Sequence, residues 1–135
     1  MNDCIFCKII KGEVPAQKVY EDNYVVAFLD ITPINKGHTL VVPKHHCVNL
    51  LDMREEDVVA CAKALQKVAK AVKAGVNAEG VNVGMNNEKA AGQYVFHAHF
   101  HVIPRFSHDG LKHWPGGKYS AGEADKIAEE IKRKF

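Results

Sequence analysis

Short apolar runs separated by turn residues occur in both halves of the chain, and this pattern predicts β-strands. Asp22 and Asn23 form a turn between the first two runs, and Pro43 ends the third. The predicted strands are residues 18–21, 24–29, 38–42, 80–85 and 98–104. The last two are separated by a polar loop at residues 86–92.

The middle of the chain has the three- and four-residue apolar spacing of an amphipathic helix, predicted over about residues 53–74. Asp52, with Glu55 three residues later, fits a capping box at its start. Gly75 supplies the C-terminal stop. The lysines of this segment fall largely on its other faces, which is typical of a solvated helix surface.

A second capping box, Ser120 with Glu123, predicts a final helix that runs to about Lys134. Strands joined by tight turns and mixed with helices predict an α+β domain built on an antiparallel sheet of about five strands. The chain has no internal repeat or linker-like segment. We therefore expect residues 1–135 to form a single domain.

Composition narrows the possible partners and compartment. A formal net charge of +2 gives no electrostatic footprint for nucleic acid or an anionic membrane. The N-terminus does not resemble a signal peptide, and no apolar run approaches the roughly 18 residues of a membrane helix. We therefore expect a cytoplasmic protein with reduced cysteines. These cysteines then serve as metal ligands or buried thiols.

Three histidines alternate at His97, His99 and His101 within one predicted strand. They lie on one face, roughly 6.6 Å apart along the strand, while the residues between them point into the core. Imidazoles serve either as metal ligands or as nucleophiles that carry a phosphoryl group. Because this spacing is too wide for all three to bind one metal, we interpret them as divided between metal binding, chemistry and charge stabilisation.

The alternating segment His-Ala-His-Phe-His-Val-Ile resembles the histidine triad (HIT) motif, in which histidines alternate with hydrophobic residues. The resemblance covers most of the chain and is greatest to the Hint-like branch, including bacterial and archaeal hydrolases. The resemblance covers the tail of the chain, about residues 106–135, only weakly. The matching segments are residues 4–10, 27–31, 37–44 and 86–103.

The resemblance implies hydrolysis of purine nucleoside 5′-phosphoramidates or aminoacyl-adenylate-like conjugates, releasing the nucleoside monophosphate. His99 corresponds to the nucleophile, which attacks the α-phosphorus and forms a nucleotidyl-histidine that water then cleaves. His101 corresponds to the residue that contacts a non-bridging phosphate oxygen. His38 matches a further imidazole of the family site.

The family's nucleotide pocket also maps onto this sequence. Asp30 corresponds to the carboxylate that accepts hydrogen bonds from the ribose hydroxyls, and Gly92 lets the backbone approach the ligand. The apolar purine pocket corresponds to Ile5, Phe6, Ile9, Phe28 and Ile31, for which ordinary core packing is the alternative. The polar residues near the phosphate and leaving group correspond to Asn86 and Gln93. Tyr94 replaces a small hydroxyl residue, so leaving-group preference stays open.

Some bacterial relatives hold a structural zinc, and the resemblance implies one here. The corresponding ligands are Cys4, Cys7, His46 and His97, a closed Cys₂His₂ set. His45 and Cys47 flank His46 and are alternative ligands. Two buried reduced thiols at Cys4 and Cys7 are the alternative to a metal.

The resemblance also implies a two-fold homodimer, and Trp114 resembles a tail residue that relatives insert from the partner subunit. Within the same enzyme class, the rival is a dinucleoside polyphosphate hydrolase of the Fhit type. Its site should be more basic, whereas only Lys44 and Arg105 stand near the motifs. A nucleotide-sensing or scaffold module with incidental activity is the rival from another class.

Overall fold

A five-stranded antiparallel sheet forms the body of the protein, in the order β1-β2-β3-β5-β4. The structure, a computed structural model, describes residues 3–135. Its helices and strands are α1 (Ile5–Ile10), β1 (Lys18–Glu21), β2 (Val25–Leu29), β3 (Thr39–Pro43), α2 (Glu55–Gly75), β4 (Gly80–Gly84), β5 (Phe100–Arg105) and α3 (Glu123–Lys132). The predicted α+β architecture is confirmed. Within the described residues, no helix is both long and apolar enough to cross a membrane.

The strands β2 and β3 are buried on both faces of the sheet, which explains their continuous apolar runs. Val25, Ala27 and Val41 face one core, which α2 covers with Cys61, Ala64 and Val68. The alternate residues face a second core under α1, where Phe6 and Ile9 pack on the sheet. The period of two along each strand separates the two cores.

The sequence prediction placed the start of α2 wrongly. The helix begins at Glu55, and its N-terminal flanking residue Arg54 makes no side-chain cap. Asp52 belongs instead to a separate 3₁₀ turn at Leu50–Asp52. Its carboxylate accepts hydrogen bonds from the backbone N–H groups of Asn49 and Val48, at 2.9 and 3.1 Å. It is therefore engaged one turn earlier than the capping-box pattern implied.

The other helices differ from the sequence pattern in smaller ways. The Glu123 carboxylate accepts a hydrogen bond from the Ser120 backbone N–H at 2.9 Å, as a capping box requires, but Gly122 is the N-cap of α3. The pattern did not predict α1, because its six residues are too few to show a helical period. The Cys4 Sγ caps it by accepting the Cys7 backbone N–H at 3.4 Å.

Candidate active site

The histidines lie on the sheet face that α1 covers. In β5, Val102 points into the core under α2, so His101 points to the opposite face, beside Leu40 of β3. His99 precedes the strand on the same side, and its ring centroid lies 5.1 Å from that of His101. His97 turns away from this pair, towards the two N-terminal cysteines.

Backbone hydrogen bonding sets the tautomer of His99. Its Nδ1–H donates to the carbonyl oxygen of His97 at 2.7 Å, which leaves the lone pair on Nε2. The residue is 8% exposed, and burial lowers its pKa below the ordinary histidine value. The Phe6 ring meets it edge to face at 5.2 Å between centroids. His99 is therefore a neutral imidazole whose Nε2 is available as a nucleophile.

A hydrogen-bond chain similarly orients His101. The backbone N–H of Ile34 donates to His38 Nδ1 at 3.1 Å, so His38 carries its proton on Nε2. That Nε2–H donates to His101 Nδ1 at 2.9 Å. His101 therefore keeps a proton on Nε2 as a donor, and burial lowers its pKa to about 4, with His99 and His38 adding to the effect.

Asp30, His38 and His101 place three potential ligand atoms within 4.8 Å of one another. Both ring nitrogens of His38 are already engaged, one as an acceptor and one as a donor. The Asp30 Oδ2 lies 3.7 Å from His38 Nε2. His38 consequently supports His101 through a hydrogen bond, and with both its nitrogens used it has no lone pair left for a metal.

A cavity of about 460 Å³ opens beside His99 and His101, between α1 and the loop that follows β4. Nine of the ten residues predicted to contact a nucleotide line it: Ile5, Phe6, Ile9, Phe28, Asp30, Ile31, Asn86, Gly92 and Tyr94. The sequence patterns missed Val14, Ala16, Leu40 and Val95, which also line the cavity. These four carry no local signal, since only the folding of distant segments brings them together.

The tenth residue, Gln93, lies outside the cavity. It is 3% exposed, and its amide nitrogen donates to the carbonyl oxygens of Val48 and Val95 at 2.6 and 3.0 Å. Its amide oxygen accepts from Asn49 Nδ2 at 3.2 Å and from the Glu88 N–H at 2.9 Å. With both donors and both acceptor positions used, the expectation that Gln93 sits near the phosphate has no support in this geometry.

A second cluster lies next to the cavity and contains Cys4, Cys7, His46 and His97. His97 Nδ1 lies 3.3 Å from Cys4 Sγ and 3.0 Å from His46 Nδ1, and His46 Nδ1 lies 3.3 Å from Cys7 Sγ. Ligand atoms around a tetrahedral zinc lie about 3.3–3.8 Å apart, from bond lengths of about 2.0–2.3 Å. The donor set fits zinc, and the two sulfur–nitrogen separations of 3.3 Å lie at the lower end of this range, whereas the two nitrogens at 3.0 Å are slightly closer than a bound zinc would hold them.

His97 is oriented for such a role by its other nitrogen. Its Nε2–H donates to the Pro43 carbonyl oxygen at 2.8 Å, which leaves the lone pair on Nδ1 inside the cluster. Burial lowers the pKa of His97 to about 4, which keeps it neutral. Of the alternatives, His45 is exposed and Cys47 is buried elsewhere, where burial raises its thiol pKa to about 11.

The two cations near the motifs are already paired. Lys44 Nζ lies 2.8 Å from Glu21 Oε2. Arg105 binds Asp109 through two nitrogens, at 2.8 and 3.1 Å, and these bonds hold the pKa of that carboxyl well below its usual range. Trp114 is 92% exposed and lines a neighbouring cavity of about 550 Å³ with His101 and Asn86.

Comparison with known proteins defines the class. The HIT domain matches residues 11–108, and the chain belongs to the HIT family. An uncharacterised HIT-like protein of Methanocaldococcus jannaschii is 46% identical over 131 residues, covering 96% of this chain and 98% of the relative. The adenosine 5′-monophosphoramidase hnt1 of Schizosaccharomyces pombe is 43% identical over 134 residues, covering 98% of both chains.

Solved structures agree with this assignment. The protein SMU.412c of Streptococcus mutans superposes with a TM-score of 0.94 at 43% identity, covering 99% of this chain and 86% of that one. A zinc-bound histidine triad family protein of Mycobacterium smegmatis superposes with a TM-score of 0.78 at 37% identity, covering 99% of each chain.

Proposed function

We propose that this protein is a nucleotide hydrolase that cleaves purine nucleoside 5′-phosphoramidates, or aminoacyl-adenylate-like conjugates, and releases the nucleoside monophosphate. The observation that carries the proposal is the tautomer of His99. This residue lines a cavity of nucleotide size, and its Nε2 keeps a free lone pair. The relative from Schizosaccharomyces pombe, an adenosine 5′-monophosphoramidase, supports this substrate class.

The reaction proceeds in two displacements. His99 Nε2 attacks the α-phosphorus, a P–N bond to the imidazole forms, and the bond from phosphorus to the leaving group breaks. An amine leaves with a proton taken from solvent, whereas the carboxylate of an aminoacyl-adenylate leaves as the anion. Water then attacks the same phosphorus and releases a proton to solvent, the P–N bond to His99 breaks, and His99 leaves as a neutral imidazole. His101 Nε2–H donates to a non-bridging oxygen in both steps, where it stabilises the developing charge.

The cavity wall supplies binding. Phe6 and Phe28, whose ring centroids lie 5.4 Å apart, offer aromatic surface to a purine together with the isoleucines of α1. Asp30 lies at the cavity wall, and its Oδ1 accepts a hydrogen bond from the Thr32 backbone N–H at 2.9 Å. We assign Asp30 to the ribose hydroxyls, and Asn86 and Tyr94 to the phosphate and leaving-group end.

The test is release of AMP from adenosine 5′-phosphoramidate by the wild type and by His99→Ala at equal protein concentration. We expect turnover by the wild type and a loss of at least about a thousandfold in kcat in the variant, since nucleophile removal leaves only binding and charge stabilisation. His108→Ala, which removes an exposed histidine outside the cavity, is the matched control and should retain most of the turnover. Binding of AMP without turnover by the wild type would favour the sensor hypothesis.

A dinucleoside polyphosphate hydrolase is the weaker candidate. Its leaving group is a nucleotide with several negative charges, which needs free cations near the phosphate. Lys44 and Arg105 are both neutralised by carboxylates. Diadenosine polyphosphates should therefore be cleaved more slowly than the phosphoramidate.

We further propose that Cys4, Cys7, His46 and His97 hold a structural zinc. The cluster has four donors and no open position, so the metal would tie the N-terminal segment and α1 to the sheet and supply no chemistry to the reaction. The zinc-bound relative from Mycobacterium smegmatis supports this assignment.

We also propose that the chain forms a homodimer. β4 lies at one edge of the sheet, and its Val83 is exposed. All residues from 111 to 135 are exposed in the single chain, although α3 carries apolar side chains on one face. An unpaired edge strand and an uncovered helix face are both features that a second copy would bury.

A further inference from the structure

The loop between β4 and the histidine segment contains a strained residue. Glu88 adopts φ 75° and ψ 157°, a backbone conformation that is essentially restricted to glycine. A side chain persists there only where the surrounding structure over-determines the conformation. Asn77 also has a positive φ, 54°, which is the ordinary left-handed region that asparagine tolerates. Glu88 is therefore the strained position in this part of the molecule.

A buried amide clamp holds Glu88 in this conformation. Gln93 Oε1 accepts the Glu88 N–H at 2.9 Å, and the Glu88 carbonyl oxygen accepts the Gln93 N–H at 3.2 Å. Asn49, also 3% exposed, donates from Nδ2 both to Gln93 Oε1 and to Glu88 Oε1, at 3.2 and 3.3 Å. The three side chains form one network, in which Asn49 and Gln93 are buried and Glu88 is exposed.

The clamp joins two segments that carry different functional residues. Asn49 lies three residues after His46 of the proposed zinc site and is the N-cap of the turn at Leu50–Asp52. Asn87 Oδ1 accepts the Leu50 N–H at 2.8 Å, a second bond between the same segments. On the other side, the loop ends in Asn86 and Gly92, which both line the nucleotide cavity. The conformation of Glu88 thus sets the path of the loop between these two cavity residues.

We infer that Gln93 is a positioning residue. It contacts no ligand itself, and with Asn49 it offsets the backbone strain of Glu88 so that the loop presents Asn86 and the Gly92 backbone to the phosphate end of the cavity. The inference rests on the proposed function for the ligand, and on the hydrogen bonds above for the clamp. The inferred role of Gln93 is therefore to position the loop and not to contact the ligand directly.

The test is a double-mutant cycle with Gln93→Met and Glu88→Gly. Met keeps the length of the side chain and removes all four hydrogen bonds, so the loop should leave its strained path and KM for adenosine 5′-phosphoramidate should rise by about tenfold. Glycine at position 88 adopts the same backbone without strain. Adding Glu88→Gly to Gln93→Met should therefore return KM to within about threefold of the Glu88→Gly single variant.

Lys89→Gly in the Gln93→Met background is the matched control. It adds the same residue one position later, where the backbone is helical, and should give no rescue. A direct ligand contact by Gln93 predicts no rescue from either glycine, and that result would overturn the inference. An unchanged KM in Gln93→Met alone would also overturn it.

Two further measurements keep the test decisive. If Gln93→Met does not fold, Asn49→Asp replaces it in the cycle, because this change removes the Nδ2 donor to Gln93 and Glu88 and keeps the acceptor for Leu51. If the wild type neither binds AMP nor turns over, the proposed function fails and thermal stability becomes the readout. Glu88→Gly should then raise the Tm of Gln93→Met and Lys89→Gly should not, whereas equal effects of the two would overturn the clamp.

Discussion

The chemistry of this site depends on which nitrogen of each histidine carries the proton. His99 donates from Nδ1 to a backbone carbonyl, and His101 accepts at Nδ1 from His38, so one ring presents a lone pair and the other a donor. His97 is fixed in the opposite sense, with Nδ1 free for the cysteine cluster. Identical side chains thereby obtain three different roles from their hydrogen-bond partners.

A matched pair of neighbouring histidines tests the metal assignment. The wild type should contain about one zinc per chain, and His46→Asn should lose it with a fall in Tm of about 10 °C, as expected for a few kcal/mol in a domain of this size. His45→Asn alters the exposed neighbour, which lies outside the cluster, and should keep both zinc and Tm. Metal content by elemental analysis and calorimetry are the measurements; equal zinc loss in the two variants contradicts the assignment.

For single residues, the sequence predicted which side chains form the sites better than it predicted where each side chain points. The alternation of histidines placed His99 and His101 on one face, and the C-x-x-C spacing brought Cys4 and Cys7 together. The direction of Gln93 was not predictable, because its four hydrogen-bond partners include Val48 and Asn49, which are distant in sequence. Nor does a local pattern identify Glu88 as strained, since the clamp that permits its φ is non-local.

The elements show where local signals compete. Asp52 and Glu55 satisfy the capping-box pattern in the sequence. In the structure Asp52 instead forms a capping box with Asn49, in the tight turn at Leu50–Asp52, and α2 starts later. The central strands were predicted well because their apolar runs are fully buried between α1 and α2. The start of β5 was predicted two residues too early, because residues 98 and 99 continue the alternation but lie outside the paired strand.

The exposed apolar face of α3 predicts that this helix contributes to the dimer interface. A helix of ten residues is marginal when isolated in water, so its apolar face needs a partner surface. Ile131 lies on that face and is 56% exposed in the single chain. Ile131→Glu should weaken dimerisation at least about tenfold, because each subunit loses a buried isoleucine. Sedimentation equilibrium gives the dissociation constant.

Lys126→Glu introduces the same residue on the opposite face of α3 and is the control. It should leave the dimer dissociation constant within about twofold, as surface substitutions generally do. A dimer equally resistant to both substitutions would place the interface elsewhere, for instance on the edge of β4.

At the scale of the whole molecule, the sheet separates two functions. α2 covers one face with an apolar core, which provides stability. α1 covers the other face incompletely, and the gap forms the cavity beside the histidines. The sequence predicted this α+β arrangement because its turns and buried strands are local features. How the tail after residue 111 packs was beyond it, since every residue of that tail is exposed in the single chain.

If hydrolysis passes through two displacements at His99, the configuration at phosphorus records both of them. One diastereomer of adenosine 5′-thiophosphoramidate, chiral at phosphorus, is hydrolysed by the wild type in heavy-oxygen water. Each in-line displacement inverts the configuration, so a covalent intermediate on His99 predicts overall retention in the thiophosphate product. Overall inversion would mean that water attacks the substrate directly and that no nucleotidyl-histidine forms.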